Sequence, residues 1–167
     1  MRILVISDTH IPGTADKLPA VIENEAKASD CCFHCGDFIS YSIFEALCSY
    51  TKVYGVRGNM DDEQIKKKLP EKQIIKFSEA NLSIGIIHGG GPPFNLVDYV
   101  NKAFSDNFAE IDAFIFGHSH SALDKEINKR IYFNPGSPTD KVFAPYCSYG
   151  ILELADKKIK RRIIKIE

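Results

Sequence analysis

Seven residues of the chain carry side chains suited to binding divalent cations, and all seven stand in the same kind of setting. Asp8 and His10 follow the apolar run "ILVIS", and Asp37 closes "HCGD". Asn59 lies in "VRGNMD", His88 opens "HGGG", and His118 and His120 form "GHSH". Two carboxylates, one amide and four imidazoles are too many for one tetrahedral zinc site. They suit two cations with one carboxylate between them. Mixed nitrogen and oxygen ligation favours Mn, Fe, Ni, Co or Zn over Ca or Mg, which prefer oxygen shells. Two such ions ~4 Å apart form a clamp for phosphoryl transfer: one generates hydroxide near neutral pH, and both stabilise the charged transition state.

Ligands spread over more than a hundred residues need a scaffold that gathers them. Short β-rich apolar runs predict strands at 3–7, 31–35, 53–56, 73–77, 82–87, 113–116, 131–133, 148–154 and 160–166. Helical patterns cover 15–27, 42–49, 61–68 and 95–108. Strands and helices alternate at first, the mark of parallel crossover units, and later strands come in pairs. An α/β fold with two sheets, or one large mixed sheet, follows. No linker or repeat divides residues 1–167, so a single domain is expected. In open α/β sheets the functional crevice lies beyond the carboxyl ends of the strands, where five of these runs deliver their polar residues. Gly36, Gly58, Gly89 and Gly117 flank the candidates where the backbone must turn or approach closely. "HGGGPP" lacks the Gly-Lys-Ser/Thr of a P-loop and reads as a tight turn fixing His88.

Bulk properties narrow the function. The 21 Lys and Arg nearly balance the 22 Asp and Glu, which argues against nucleic acid or an anionic membrane as partner. The longest apolar runs are too short to span a bilayer, and no targeting pattern opens the chain. The basic stretch "KKIKRRIIKI" interleaves Ile with charge, as in an edge strand with one wet face. Five cysteines are an odd count, and the Cys32–Cys35 pair falls inside an extended run with no second pair to complete a zinc site. Core thiols in a cytoplasmic protein are expected.

The order of D-x-H (Asp8, His10), G-D (Gly36, Asp37), G-N (Gly58, Asn59), a lone His (His88) and G-H-x-H (Gly117, His118, His120) resembles the calcineurin-like metallophosphoesterase superfamily. "NPGS" at 134–137 extends the resemblance to its small bacterial and archaeal phosphodiesterases. The resemblance implies a four-layer αββα sandwich with two mixed β-sheets and a dimetal site at one edge. It implies that Asp8, His10 and His120 hold one ion and Asn59, His88 and His118 the other, with Asp37 bridging. Mn is the first choice of metal, with Ni, Co, Fe or Zn as alternatives. Hydroxide would attack phosphorus in line with the leaving group.

Two departures from that pattern matter. Met60 stands where many members carry a His, and Gly90 stands where many small relatives show a second His as H-G-H. Asp61 is the candidate to supply a proton beside Asn59, although Asp61 and Asp62 also open a predicted helix, where carboxylates serve as capping charges. His34 is expected in the core or behind a ligand. Arg57 is expected to meet a phosphate or to lie exposed at a strand end, and Asn134 and Ser137 to line the rim or form a turn. The expected activity is a phosphodiesterase for small or exposed diesters. A phosphomonoesterase is the runner-up, and a protein-binding scaffold of the same fold, as in retromer, is a third reading. Exposed sheet edges admit a homodimer.

Overall fold

The structure, a computed structural model, describes residues 1–167. Its element order is β1 (Arg2–Ile6), α1 (Ala20–Lys27), β2 (Cys31–His34), α2 (Tyr41–Tyr50), β3 (Lys52–Gly55), α3 (Glu63–Lys68), β4 (Lys72–Phe77), β5 (Leu82–Ile87), α4 (Leu96–Ala103), β6 (Ala113–Ile115), β7 (Leu123–Ile127), β8 (Arg130–Asn134), β9 (Ser148–Ala155) and β10 (Lys158–Lys165). The strands form two five-stranded mixed sheets, ordered β10-β9-β1-β2-β3 and β4-β5-β6-β8-β7. In the first, β1, β2 and β3 run parallel, while β9 runs antiparallel to both β1 and β10. In the second, β5, β6 and β8 run parallel.

Why β1 is apolar throughout follows from the layers. Ile3 and Val5 point between the sheets and meet Phe33, Ile84, Ile115 and Phe133. Leu4 and Ile6 point the other way, against Ile22, Leu47 and Ile65 of α1, α2 and α3. The outer face of the second sheet packs Phe114, Phe116 and Tyr132 against Leu96 and Val100 of α4. Each sheet is therefore covered on both faces, and the result is the expected αββα sandwich. No helix is long and apolar enough to cross a membrane.

Three boundaries differ from the sequence expectation. Helix α1 begins at Ala20 rather than residue 15, because Pro19 pushes Leu18 toward extended backbone and serves as a helix start. The helix expected over 95–108 ends at Ala103 and continues as a 3₁₀ segment, Ser105–Glu110. Strand β7 was not anticipated, since "LDKEI" is almost wholly exposed and carries no apolar alternation. The turn between β9 and β10 is Asp156–Lys157, both at positive φ, the geometry that suits a tight hairpin. The basic C-terminal stretch forms edge strand β10, where Arg161 pairs with Asp124 and Glu126 of β7 in the other sheet.

Candidate dimetal site

All seven candidate ligands meet at one edge of the sandwich, beyond the carboxyl ends of β1, β2, β3, β5 and β6. His10 Nε2 lies 3.4 Å from Asp37 Oδ2 and 3.2 Å from His120 Nε2, and His120 Nε2 lies 3.4 Å from Asp8 Oδ1. On the other side, His88 Nε2 lies 3.3 Å from Asp37 Oδ2, 3.1 Å from Asn59 Oδ1 and 3.3 Å from His118 Nδ1. Donor atoms of Asp8, His10 and His120 all fall within 4.8 Å of one another, as do those of Asp8, Asp37 and His88. Asp37 thus stands between His10 and His88, and Asp8 is shared by both clusters. The donor set fits two divalent cations: buried carboxylates in the middle, imidazoles around them, and an exposed amide at one side.

The backbone is bent to make this possible. Asp8, His10, Asp37, His118 and His120 all take left-handed conformations, with φ between 43° and 70°. Such conformations cost about 1–2 kcal/mol each for residues with a Cβ, and Asp, Asn and His tolerate them better than most. Strain of this kind concentrates where function over-determines the geometry. Two glycines let loops approach the carboxylates. A Cβ on Gly58 would lie 2.1 Å from Asp37 Oδ1, and one on Gly117 would lie 1.8 Å from Ser7 Oγ and 2.6 Å from Asp8 Oδ2.

Three of the four inward-facing imidazoles are aimed by what the other ring nitrogen does. His88 Nδ1 donates to the Cys35 carbonyl at 2.7 Å, and His118 Nε2 to the Gly91 carbonyl at 3.0 Å. His120 Nδ1 is held by the carboxylate of Asp140. Oxygen acceptors behind metal-binding histidines fix the tautomer and the ring orientation in this way. Burial opposes a charge on His88, but the carboxylates of Asp37 and Asp8 outweigh it and lift its pKa to about 9. Burial pushes the Asp8 carboxyl up and the His10 imidazole down. Asp37 is held below its ordinary value, its burial being outweighed by His88, the Met60 N–H and His10.

Asp61, expected as a proton donor, is corrected to a brace. It is 2% exposed, lies outside the cleft, and accepts N–H bonds from Gly58 (2.7 Å), Ile39 (2.9 Å) and Asp37 (3.1 Å). Burial raises its pKa while those N–H bonds act the other way. Its carboxylate ties the β2 loop to the β3 loop. Its neighbour Asp62 caps α3 through the Ile65 N–H at 2.8 Å. His34 is buried behind the site, stacked on Phe38 and within 3.1 Å of Thr9 Oγ1. Cys31, Cys32 and Cys35 are buried free thiols.

Asn134 and Ser137 do not line a rim; they are fully buried in a clamp made by residues 134–140. Asn134 Nδ2 donates to the Gly117 carbonyl at 2.8 Å, Ser137 Oγ to the Asp8 carbonyl at 2.7 Å, and Thr139 Oγ1 to the Thr9 carbonyl at 2.7 Å. Asp140 completes this clamp and had no sequence signal beyond its place after "NPGSPT". A cleft of about 360 Å³ opens beside Asn59, His88 and His118, walled by Arg57, Glu71 and Tyr99.

The model of the calcineurin-like phosphoesterase superfamily domain matches residues 1–157, and the chain belongs to that superfamily. It is a metal-dependent phosphoesterase. It is 32% identical over 169 residues to a probable metallophosphoesterase of Methanocaldococcus jannaschii, covering 100% of this chain and 82% of that protein. It is also 28% identical to a phosphodiesterase of the same organism, covering 98% and 99% of the two chains. Among solved structures, Vps29 of Entamoeba histolytica complexed with Zn²⁺ superposes with a TM-score of 0.76 at 25% identity, covering 99% of each chain.

Proposed function

We propose that the protein is a two-metal phosphodiesterase for small or exposed phosphodiesters, working in the cytoplasm. The observation that carries the reading is the position of Asp37 Oδ2, 3.4 Å from His10 Nε2 and 3.3 Å from His88 Nε2, between two groups of donors. Asp8, His10 and His120 would hold one ion and Asn59, His88 and His118 the other. When bound, such ions supply Lewis-acid stabilisation of a phosphoryl group and a nucleophile available near neutral pH. The chain's part is positional: acceptors behind His88, His118 and His120 keep their free nitrogens turned inward, and the Met60 N–H, 2.8 Å from Asp37 Oδ1, fixes that carboxylate.

Neither residue that follows Asn59 serves as a proton donor. Met60 cannot supply a proton, and Asp61 is committed to backbone N–H groups. Acid catalysis is typically worth ~10²–10⁴ in rate for poor leaving groups. Aryl esters, whose leaving groups need little protonation, should therefore outrun matched alkyl esters. Equal rates for the two would count against this.

The test is to strip the protein with chelator, restore Mn, Ni, Co, Zn or Mg singly, and follow a bis-aryl phosphate beside the matching monoester. Restored diesterase activity that vanishes in Asp37→Asn is the expected result, with Mn most effective. Dominant monoesterase activity would move the function to a phosphomonoesterase. Failure to bind any metal would sink the enzyme reading in favour of a scaffold.

A further inference from the structure

The cleft beside the site has a wall that the metal ligands do not explain. Gly90 follows His88 by two residues, and Tyr99 on α4 lies directly against it: a Cβ on Gly90 would come within 3.0 Å of ring atoms Cε2 and Cζ and 3.1 Å of the hydroxyl. A side chain at position 90 would press the ring back by a few tenths of an ångström, so glycine leaves it in its present place. Tyr99 is half-buried, and its hydroxyl makes no hydrogen bond within the chain, which leaves it free to meet a ligand. Across the cleft, Arg57 is held only loosely. Its guanidinium reaches the Lys66 carbonyl and Glu71 Oε2 at 3.5 Å each, the outer limit of a hydrogen bond.

We infer that this cleft receives one ester arm of the substrate, that the arm is a planar aromatic group, and that Tyr99 is the residue that selects it. The inference rests on the phosphodiesterase reading above and adds the class of substrate. With phosphorus at the metal site, the arm that is not the leaving group extends past His118 toward the Tyr99 ring. A cleft of about 360 Å³ has room for a single ring system. Ring faces accept aromatic partners regardless of their substituents, whereas the unpartnered hydroxyl and the loosely held guanidinium offer donors to an acceptor on that ring. A nucleobase and a simple aryl group share this chemistry. An alkyl arm has nothing to stack on the wall and nothing for the donors to meet.

The test uses the metal-loaded protein and two substrates with the same leaving group, bis(p-nitrophenyl) phosphate and methyl p-nitrophenyl phosphate. Wild type should prefer the first by roughly tenfold in kcat/KM, expressed mainly in KM. Tyr99→Ala should lower the ratio severalfold, to the value set by the two esters' own reactivity, and Tyr99→Phe should keep it, because the ring survives. Calorimetric binding of diphenylphosphinate and dimethylphosphinate, neither of which can be hydrolysed, should show the same preference and the same loss. A thymidine 5′-(p-nitrophenyl) phosphate arm, which has no neighbouring hydroxyl to expel the leaving group, then separates nucleoside from plain aryl, the former gaining if the donors engage base acceptors. A wild-type ratio near one, with both substrates turned over, would overturn this inference and leave the phosphodiesterase reading standing. So would an undiminished ratio in Tyr99→Ala, or an equal loss in Tyr99→Phe. No turnover of either diester with any metal would remove the parent reading and this one with it.

Discussion

Behind Asp8 and His120 the polar atoms are tied down by residues 134–140, whereas beside Asn59 and His118 the site opens onto the cleft. On the first side, Ser137 and Thr139 grip the carbonyls of Asp8 and Thr9, and Asp140 holds His120 from behind. Asp8 is fully buried. On the second side Asn59 is exposed, His118 leans on the carbonyl of an exposed glycine, Gly91, and the cleft begins. The contrast separates two tasks: one half of the site holds still, and the other admits and releases a substrate. A rigid frame for an ion and a yielding frame for a ligand require opposite local chemistry, so one loop system could not easily provide both.

The largest blow to the closed half should come from Gly117→Ala. The added methyl would collide with Ser7 Oγ and Asp8 Oδ2, both buried, so neither can move into free space. We expect a loss of about 3 kcal/mol or more in denaturant unfolding, together with loss of metal uptake. An unchanged midpoint would mean that the clamp is looser than its contacts imply.

Next in size is a pH effect in the metal-free protein, which sharpens the contrast from the open half. His88 titrates near 9 in the fold against 6.5 unfolded. A raised folded pKa adds stability that is complete below about pH 6.5 and is lost as pH rises through about 9. Chemical unfolding of the stripped protein should therefore show a decline of about 2–3 kcal/mol between those limits. A flat profile would mean that His88 is neutral beside Asp37.

The smallest effect, and the most selective, should follow Asp140→Asn. The amide can still cap the Val142 and Phe143 N–H groups, now 2.8 and 3.0 Å from Asp140 Oδ1, while turning an NH₂ toward His120 Nδ1. That disturbs the tautomer without opening the loop. One of the two ions should then bind 10- to 100-fold more weakly by calorimetry, while the other keeps its affinity. Equal weakening of both would show the two halves to be coupled rather than distinct.

How far the sequence foretold this depends on the kind of signal each part leaves. Buried strands such as "ILVI" are unmistakable, because a strand covered on both faces must be apolar throughout. The seven candidate ligands were legible because metal-binding residue types recur in one order after five separate apolar runs, which single turn residues do not do. Strand β7 was hidden because an exposed edge needs no apolar residue. Asp140 and the hydroxyls of Ser137 and Thr139 were hidden for another reason. They act through single hydrogen bonds to a backbone 129 or more residues away in sequence or to a histidine ring, and no periodicity or spacing announces such pairs. Asp61 was misread because a carboxylate beside a candidate ligand looks the same in sequence whether it faces the cleft or the backbone. Tyr99 left no signal because only the packing of α4 brings its ring beside Gly90 and the cleft.

The origin of the ligands has a consequence for the chain as a polymer. Asp8, His10, Asp37 and Asn59 follow strands of the first sheet, while His88, His118 and His120 follow strands of the second. Ions held by this set would fasten one layer to the other across more than a hundred residues, much as a disulfide fastens distant segments, but reversibly and without oxidation. With all five cysteines free, the fold has no covalent staple of its own. Its two sheets would then be riveted by the metals it works with, and the supply of ions would govern how long the folded chain lasts as well as how fast it turns over.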